Sequence, residues 1–267
     1  MEQLTIKVSD LPIRISCPSN SFLKKINQYY KGFIKKMKSK PAFELNIINQ
    51  RILKRRTGYY ISKNTSNELK IKFDITNDYN ELQINKNKSK GVYITNKKEI
   101  THLNFLLPII FSIVLNKNAG TELHAASLVK NKKGYLFFGP CYSGKSTISQ
   151  SFIKKGIILH DDCSLVREVN NKFKIWSVPK NTLLKNICKD NKSAELKACF
   201  RIIKSNKNKL VKLSKKDAFK FIKKTSWRYQ NYIDRKKQLK VLSNLVKKVN
   251  VYNLYFRKKC DFWNLIY

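Results

Sequence analysis

The stretch with the clearest chemical meaning is a glycine-punctuated loop, GPCYSGKST, at residues 139–147. It fits the pattern G-x-x-x-x-G-K-[ST] and stands between a strand pattern and a helix pattern, which is the context that a phosphate-binding loop requires. In such a loop the backbone N–H groups turn inward around the β-phosphate, and the following helix contributes the positive end of its dipole. The chain has only eight glycines and two stand at the demanded positions, so a chance match is the weaker explanation.

Two side chains at the end of this loop have roles of their own. Lys145 is expected to bridge the β- and γ-phosphates, and Ser146 is expected to coordinate Mg²⁺. The predicted nucleotide-binding residues are Gly139, Pro140, Cys141, Tyr142, Ser143, Gly144, Lys145, Ser146 and Thr147.

Two adjacent carboxylates come after the next apolar run. Asp161 and Asp162 stand directly behind the strand-like segment 156–160. A strand in this position places its carboxyl end beside the γ-phosphate and its metal. One carboxylate can help to hold Mg²⁺, and the other can accept the proton of an attacking hydroxyl. The alternative, an Asp-Asp turn that only caps the following segment, is disfavoured by the loop upstream.

The elements that must position these residues show an α/β pattern from about residue 119 onward. Strands are predicted at 123–129, 134–138, 156–160 and 251–256, a helix at 145–155, a hairpin from Val166 to Trp176 turned at Asn170-Asn171, and helical segments over most of 181–248.

The preceding part of the chain predicts an α+β region. Its opening strand pair and helix are followed by short strand patterns between residues 43 and 95. A helix from about Ile100 to Leu115, with Pro108 as a kink, leads to the loop 116–120. We therefore predict an N-terminal α+β region at 1–118 and a catalytic domain at 119–267.

The segments ELHAASLV, YLFFGPCYSGKST and GIILHDD, in this order, resemble the C-terminal domain of HPr kinase/phosphorylase. They resemble more closely the wider group of HPr-kinase-related proteins, some of which occur with peptide-modification clusters. The resemblance is firm over about residues 119–180. It implies an α/β P-loop kinase core of the phosphoenolpyruvate carboxykinase-like type, with ATP and Mg²⁺ as donor and a serine hydroxyl as acceptor.

The resemblance also assigns residues. Asp161 matches the acid/base carboxylate, and Asp162 matches its neighbour that steadies the metal and the loop. His124, which on spacing alone reads as a structural histidine at a strand start, matches the histidine near the transferred phosphate. The implied catalytic set is Asp161, Asp162, His124 and Lys145, and the implied metal ligands are Ser146 and Asp162.

Two departures from the family pattern matter. Cys141-Tyr142 stands where the family loop commonly reads Ser-Gly, so a positive φ at residue 142 would be imposed on a bulky side chain. The L-E-V-R-G-x-G stretch of genuine HPr kinases is missing, since no glycine occurs after Gly156. HPr itself is therefore not the expected acceptor, and a peptide, another protein or a small hydroxylated molecule stays open.

The composition is strongly basic, with a formal net charge of +39. The chain has 47 Lys but only 9 Arg, together with 27 Asn. Because phosphate recognition tends to use Arg, this composition favours a bias in codon usage, rather than a phosphate-binding surface, as the origin of the charge. Six scattered cysteines give no zinc pattern and read as reduced thiols. No signal peptide is visible, and the apolar run 105–115 is too short to cross a bilayer, so we expect a soluble cytoplasmic protein without a membrane partner.

Three functions are compatible with these sequence features. The first is an ATP-dependent kinase that phosphorylates a serine-type hydroxyl; relatives of HPr kinase can form oligomers, so a homo-oligomer is left open. The second is a nucleotide-binding accessory or regulatory protein with weak or no turnover. The third is nucleic-acid binding by the segment 201–260, which is disfavoured because its aromatic residues are expected to form the core. These aromatic residues are Trp227, Tyr229, Tyr232, Tyr252 and Phe256.

Overall fold

The computed structural model of the protein describes residues 2–37, 39–50, 59–64, 68–75, 78–180, 182, 184–226 and 229–266. The chain divides into two compact units, Met1–Val114 and Leu115–Tyr267. Both contain a β-sheet together with helices, so the expectation of a mixed α/β protein is confirmed.

The first unit is built on a seven-stranded sheet. Its elements are β1 (Glu2–Val8), β2 (Leu11–Cys17), α1 (Asn20–Tyr29), a 3₁₀ turn (Lys31–Phe33), β3 (Phe43–Asn49), β4 (Tyr59–Asn64), β5 (Glu68–Ile75), β6 (Asp78–Asn85), β7 (Lys90–Thr95) and α2 (Ile100–Lys117). The strand order is β1-β2-β3-β7-β6-β5-β4.

The opening hairpin forms because apolar residues alternate along both of its strands. Ile6, Ile13 and Ile15 are fully buried, and Ser9 and Asp10 turn the chain with positive φ angles of 52° and 62°. The predicted helix after the hairpin is confirmed, with Ser19 as its N-cap residue; from the sequence we expected Asn20 or Ser21 in that position. The helical spacing of apolar residues continues to Phe33, but the α-helix ends at Tyr29 and a 3₁₀ turn covers Lys31–Phe33.

The helix α2 is apolar along nearly its whole length and contains Pro108. By length and composition it is the one helix among the described residues that could cross a membrane, and 67% of it is buried. Such burial is what the core helix of a soluble protein shows. The predicted buried helix is therefore confirmed, extended to Lys117.

The second unit contains nine strands and three α-helices in its described residues. Its elements are β8 (Gly120–Leu123), β9 (Ala125–Lys130), β10 (Lys133–Phe138), α3 (Lys145–Phe152), β11 (Ile157–His160), β12 (Ser164–Val169), β13 (Lys172–Trp176), β14 (Ser193–Lys204), β15 (Lys209–Lys212), α4 (Lys215–Lys223), α5 (Arg235–Lys248) and β16 (Asn250–Phe256), with 3₁₀ turns at Gln230–Tyr232 and Trp263–Leu265.

The sheet of the second unit runs β11-β9-β10-β14-β13-β12-β8, and β14 also pairs with β16, which in turn pairs with β15. The strand β14 is parallel to β10 and to β16. The predicted hairpin is confirmed: β12 and β13 are antiparallel, and Asn170 and Asn171 form the turn with φ angles of 49° and 64°.

The prediction of helix over most of 181–248 is wrong for 193–212, which forms β14 and β15. Apolar residues recur at every second position of β14, which is a strand period, although the many lysines nearby suggested solvated helices. The buried residues of this alternation are Ala194, Leu196, Ala198, Phe200 and Ile202. Only α4 and α5 are α-helices in that stretch among the described residues.

Alternate residues of β10 place the core of the second unit on both faces of its sheet. Leu136 and Phe138 belong to a cluster that includes α4 and α5. Tyr135 and Phe137 belong to a second cluster, which includes α3 and the segment around Trp263. Helices therefore cover both faces, and the loop that joins β10 to α3 lies where the strand ends.

Candidate functional site

The loop between β10 and α3 depends on two glycines for its conformation. Gly144 has a φ of 110°, and a Cβ added there would lie 2.7 Å from the ring of Phe256. A Cβ added at Gly139 would lie 2.6 Å from Oγ of Ser143. The structure therefore leaves no room for a side chain at either of the two glycines that the pattern G-x-x-x-x-G-K-[ST] requires.

Lys145 begins α3 and turns back towards the loop. Its Nζ donates hydrogen bonds to the carbonyl oxygens of Gly139 and Pro140, both at 3.1 Å, and the residue is only 7% exposed. The hydroxyl of Ser143 is also buried and has no hydrogen-bond partner among the described residues. The loop thus holds a buried cation together with an unused hydroxyl donor, a set that fits an anionic ligand.

Tyr142 stands at the exposed side of the loop. Its φ is 61°, and its side chain is 93% exposed. A left-handed conformation is unfavourable for a residue with a large side chain, so this part of the loop is strained. This strain was predicted from the sequence, because Tyr142 stands where related loops commonly have glycine.

The carboxylate of Asp161 is buried at the end of β11. Thr182 donates a hydrogen bond from Oγ1 to Oδ1 of Asp161 at 2.6 Å. The same oxygen lies 3.6 Å from Nδ1 of His160. The position of this carboxylate is therefore fixed by a residue that lies 21 positions later in the chain.

His160 shapes the turn that carries both carboxylates. Its Nδ1 accepts hydrogen bonds from the backbone N–H groups of Asp162 and Cys163, both at 3.1 Å. Burial lowers the pKa of His160 to about 4, despite the opposing effect of the neighbouring Asp161. The ring is therefore neutral near pH 7, with its proton on Nε2 because Nδ1 acts as an acceptor.

Asp162 is the more accessible of the two carboxylates, with a side chain that is 41% exposed. One of its oxygens lies 3.4 Å from Nε2 of His124. His124 lies between β8 and β9, and its backbone N–H donates to the carbonyl of Thr225 at 2.8 Å. The structure thus brings His124 to the carboxylate pair, although 37 residues separate it from Asp161 in the sequence.

A cleft of about 440 Å³ joins the end of the loop to the carboxylate turn. It is lined by Ser146, Gln150, His160, Asp161, Asp162, Lys180, Thr182 and Leu184. Three of the predicted site residues, Ser146, Asp161 and Asp162, therefore share one cleft. Lys145 and His124 do not line the cleft. Lys145 directly precedes Ser146 in the chain, and His124 contacts Asp162. A slightly larger cavity, about 500 Å³, lies in the first unit beside β1 and α1 and contains no predicted site residue.

Five residues that line this cleft were not predicted from the sequence: the apolar Leu184 and four polar residues. His160 could have been found, because it directly precedes the two aspartates. Gln150 lies on α3 one helical turn after Ser146, so helical periodicity would have placed it there. Lys180 and Thr182 carry no sequence signal. Both lie in the segment between β13 and β14, and Thr182 falls within the stretch 181–248 that was predicted to be mostly helical.

The described residues contain no group of three or more His, Cys, Asp or Glu side chains that could hold a metal ion. The cleft does contain the hydroxyl of Ser146 and two carboxylates. Such a sparse oxygen set fits Mg²⁺, which is commonly held by one or two protein ligands together with substrate phosphates and water. It does not fit a metal that needs an all-protein cage.

The fold and the cleft define a mixed α/β protein whose second unit carries a glycine-containing loop opposite a pair of carboxylates. The profile of the family described as SynChlorMet cassette protein ScmC matches residues 91–267, which is more than half of the chain. The chain belongs to this family. No curated protein matches it.

A solved structure, that of the Hpr(Ser) kinase/phosphatase from Coxiella burnetii, is 15% identical to the chain. The match covers 51% of this chain and 85% of that chain, with a TM-score of 0.33. At this level the likeness is distant and carries no conclusion about activity. The family shown is that of ScmC, and the resemblance to HPr kinase is limited to this weak structural similarity.

Proposed function

We propose that the protein is an ATP-dependent kinase that transfers the γ-phosphate to a serine-type hydroxyl. The proposal includes a P-loop core of the phosphoenolpyruvate carboxykinase-like type in the second unit. The observation that carries it is the shared cleft of Ser146, Asp161 and Asp162 at the end of the glycine loop. A phosphate-binding loop opposite a buried carboxylate is the combination that phosphoryl transfer to a hydroxyl requires.

In this proposal the loop binds the phosphates of ATP. The backbone N–H groups of 139–147 and the N-terminus of α3 supply positive partial charge, and Lys145 supplies a full charge. Lys145 is already held against the loop by two carbonyl groups, so it would exchange these hydrogen bonds for the β- and γ-phosphates.

Asp161 is the proposed general base. It is buried, and its hydrogen bond from Thr182 fixes its orientation, whereas Asp162 is more exposed. A fixed carboxylate beside the acceptor hydroxyl can take its proton as the oxygen attacks. Two further side chains would stabilise the negative charge of the transferring phosphoryl group. They are His124, which contacts Asp162, and Lys180, which lines the cleft.

Ser146 and Asp162 would hold Mg²⁺ together with the nucleotide. When bound, the ion neutralises charge on the phosphates and so favours the transfer. Asp162 suits this role because its side chain is accessible to solvent and to the nucleotide.

The acceptor class is a peptide, a protein or a small hydroxylated molecule. The family's description assigns its members to a cassette, so the proteins encoded beside the gene are the first acceptors to test. HPr is not proposed, because the stretch that marks genuine HPr kinases is missing. A cytoplasmic location and a homo-oligomer remain predictions.

The test is an incubation of the full chain with γ-labelled ATP, Mg²⁺ and each neighbouring gene product. We expect label on a hydroxyl of one of them, absent with Lys145→Ala. Label on none of them, with ATP bound but no ADP formed, would overturn the kinase and support the second candidate, a nucleotide-binding accessory protein. That second candidate is motivated by the strained Tyr142 in the loop.

Nucleic-acid binding is not proposed. Tyr232 and Phe256 are buried, and Tyr252 packs against Phe200 with ring centroids 5.7 Å apart, so these rings belong to the core. Trp227 lies outside the described residues. An absence of salt-dependent affinity for DNA and RNA in a filter-binding measurement would agree with this interpretation.

A further inference from the structure

Thr182 occupies the place that an acceptor hydroxyl needs in the proposed kinase. Its Oγ1 donates to Oδ1 of Asp161 at 2.6 Å, and it accepts a hydrogen bond from the backbone N–H of Leu184 at 3.3 Å. Thr182 is half-buried and lines the same cleft as Ser146. Its proton therefore points at the proposed base while its oxygen lies in the cleft that would receive the γ-phosphate.

The chemistry of the hydroxyl agrees with this placement. A threonine oxygen has two lone pairs and one proton. The Leu184 N–H uses one lone pair and the Asp161 carboxylate takes the proton, which leaves the second lone pair to attack phosphorus.

We propose that Thr182 is an internal phosphate acceptor, phosphorylated by the chain that carries it. The proposal rests on the proposed kinase function. A bond forms between Oγ1 of Thr182 and the γ-phosphorus, and the bond from that phosphorus to the β–γ bridging oxygen breaks. ADP leaves with the electron pair, and the hydroxyl proton passes to Asp161 and then to solvent.

The charges of the cleft determine how the phosphorylated protein behaves. A phosphate brings about −1.5 to −2 charges, which Lys180 on the cleft wall can partly neutralise. Phosphothreonine can no longer donate a proton to Asp161, and it places like charge beside both carboxylates. Phosphorylation of Thr182 is therefore expected to slow transfer to an external acceptor.

The experiment uses the full chain with ATP and Mg²⁺ and no other acceptor. We expect intact-mass and peptide analysis to find one phosphate, on Thr182. Its first-order rate constant should stay the same when the protein concentration changes about tenfold, as a reaction within one chain requires. Thr182→Ser should keep the modification and Thr182→Val should lose it.

A matched control is available in Thr101, whose hydroxyl also donates to a carboxylate, that of Glu99 at 3.3 Å, but at an exposed position. Thr101 should stay unmodified, and Thr101→Val should leave the rate on Thr182 unchanged. Phosphate on another residue, or a rate constant that rises in proportion to protein concentration, would overturn the proposal.

The outcomes also separate this proposal from the kinase itself. If an external hydroxyl is phosphorylated and Thr182 never is, the internal acceptor is wrong and the kinase stands. If ATP binds but neither an external hydroxyl nor Thr182 gains phosphate, both are wrong. If phosphate appears on Thr182 and Asp161→Asn abolishes it, both are supported.

Discussion

The glycine loop at 139–147 and the carboxylate turn at 160–163 form opposite sides of one cleft, but they are built differently. The loop consists mainly of backbone, with two glycines that cannot be replaced and one buried lysine that bonds to the loop's own carbonyl groups. In the turn, His160 and Asp161 are buried and Asp162 is partly exposed; His160 accepts from the backbone N–H of Asp162, and Thr182 donates to the carboxylate of Asp161. The hydrogen bonds of Lys145 to the loop are therefore local in sequence, whereas the carboxylate of Asp161 is held by a residue 21 positions away.

This difference predicts that changes in the loop and changes in the turn affect different measured quantities. In the proposed kinase, backbone N–H groups and a lysine would interact with the phosphates before and during transfer, so damage to the loop should weaken the binding of ATP. The carboxylate of the turn would, as the proposed base, accept a proton that moves only during the reaction, so damage there should lower the rate of transfer. Four predictions test the contrast, in order of decreasing magnitude.

Asp161→Asn should lower the rate of phosphate transfer by about 100- to 10,000-fold, the contribution typical of a general base. The affinity for ATP should stay within a few-fold, because an amide can still accept the hydrogen bond from Thr182. Transfer assays and calorimetric titration measure the two quantities. Asp190→Asn, at an exposed position, is the control for loss of charge, and near wild-type transfer by the Asp161 variant would refute the assignment.

The stability of the protein should fall as the pH falls from about 6.5 to about 4, because His160 is neutral in the folded state and gains a proton more readily when unfolded. The loss from this one group approaches about 3 kcal/mol below that window. His160→Asn keeps an acceptor for the two backbone N–H groups but cannot titrate, so its unfolding free energy should depend less on pH there. Urea unfolding at several pH values measures this, and identical pH dependence in both proteins would count against a neutral His160.

Lys145→Ala should weaken ATP binding by about 10- to 100-fold, the loss expected for a charged hydrogen bond to phosphate. Lys154→Ala removes an exposed lysine after the same helix and should change nothing. Calorimetric titration measures both affinities. An unchanged affinity in the Lys145 variant would place the phosphates elsewhere and remove the contrast between loop and turn.

Tyr142→Gly should stabilise the protein by about 1 kcal/mol, since glycine adopts a positive φ without strain. Tyr142→Ala also removes the ring but keeps a Cβ, so it should give no such gain. Thermal unfolding of the two variants isolates the backbone effect. Equal stabilities of the two would show that the loop is not strained at this residue.

The two sides of the cleft also differ in how far the sequence predicts them. The loop is a contiguous motif, and its proposed roles can be predicted from nine neighbouring residues. Asp161 and Asp162 could be predicted because they end an apolar strand at a short distance from the loop. Lys180 and Thr182 could not, because contacts between distant parts of the chain, such as the backbone hydrogen bond from Cys188 to Ile158 of β11, bring their segment to the cleft. The strand β14 was not predicted, because the many lysines around it suggested solvated helices although its apolar residues recur at every second position.

The contact between Phe256 and Gly144 has a consequence for how the protein is made. Every residue that lines the cleft lies before residue 185, but the ring beneath the loop's second glycine comes from β16. That strand pairs with β14, which pairs with β10, the strand that leads into the loop. During synthesis the cleft therefore cannot reach its final form until residue 256 has left the ribosome. A nascent chain would therefore contain every side chain of the cleft for some time before the loop beside them is packed.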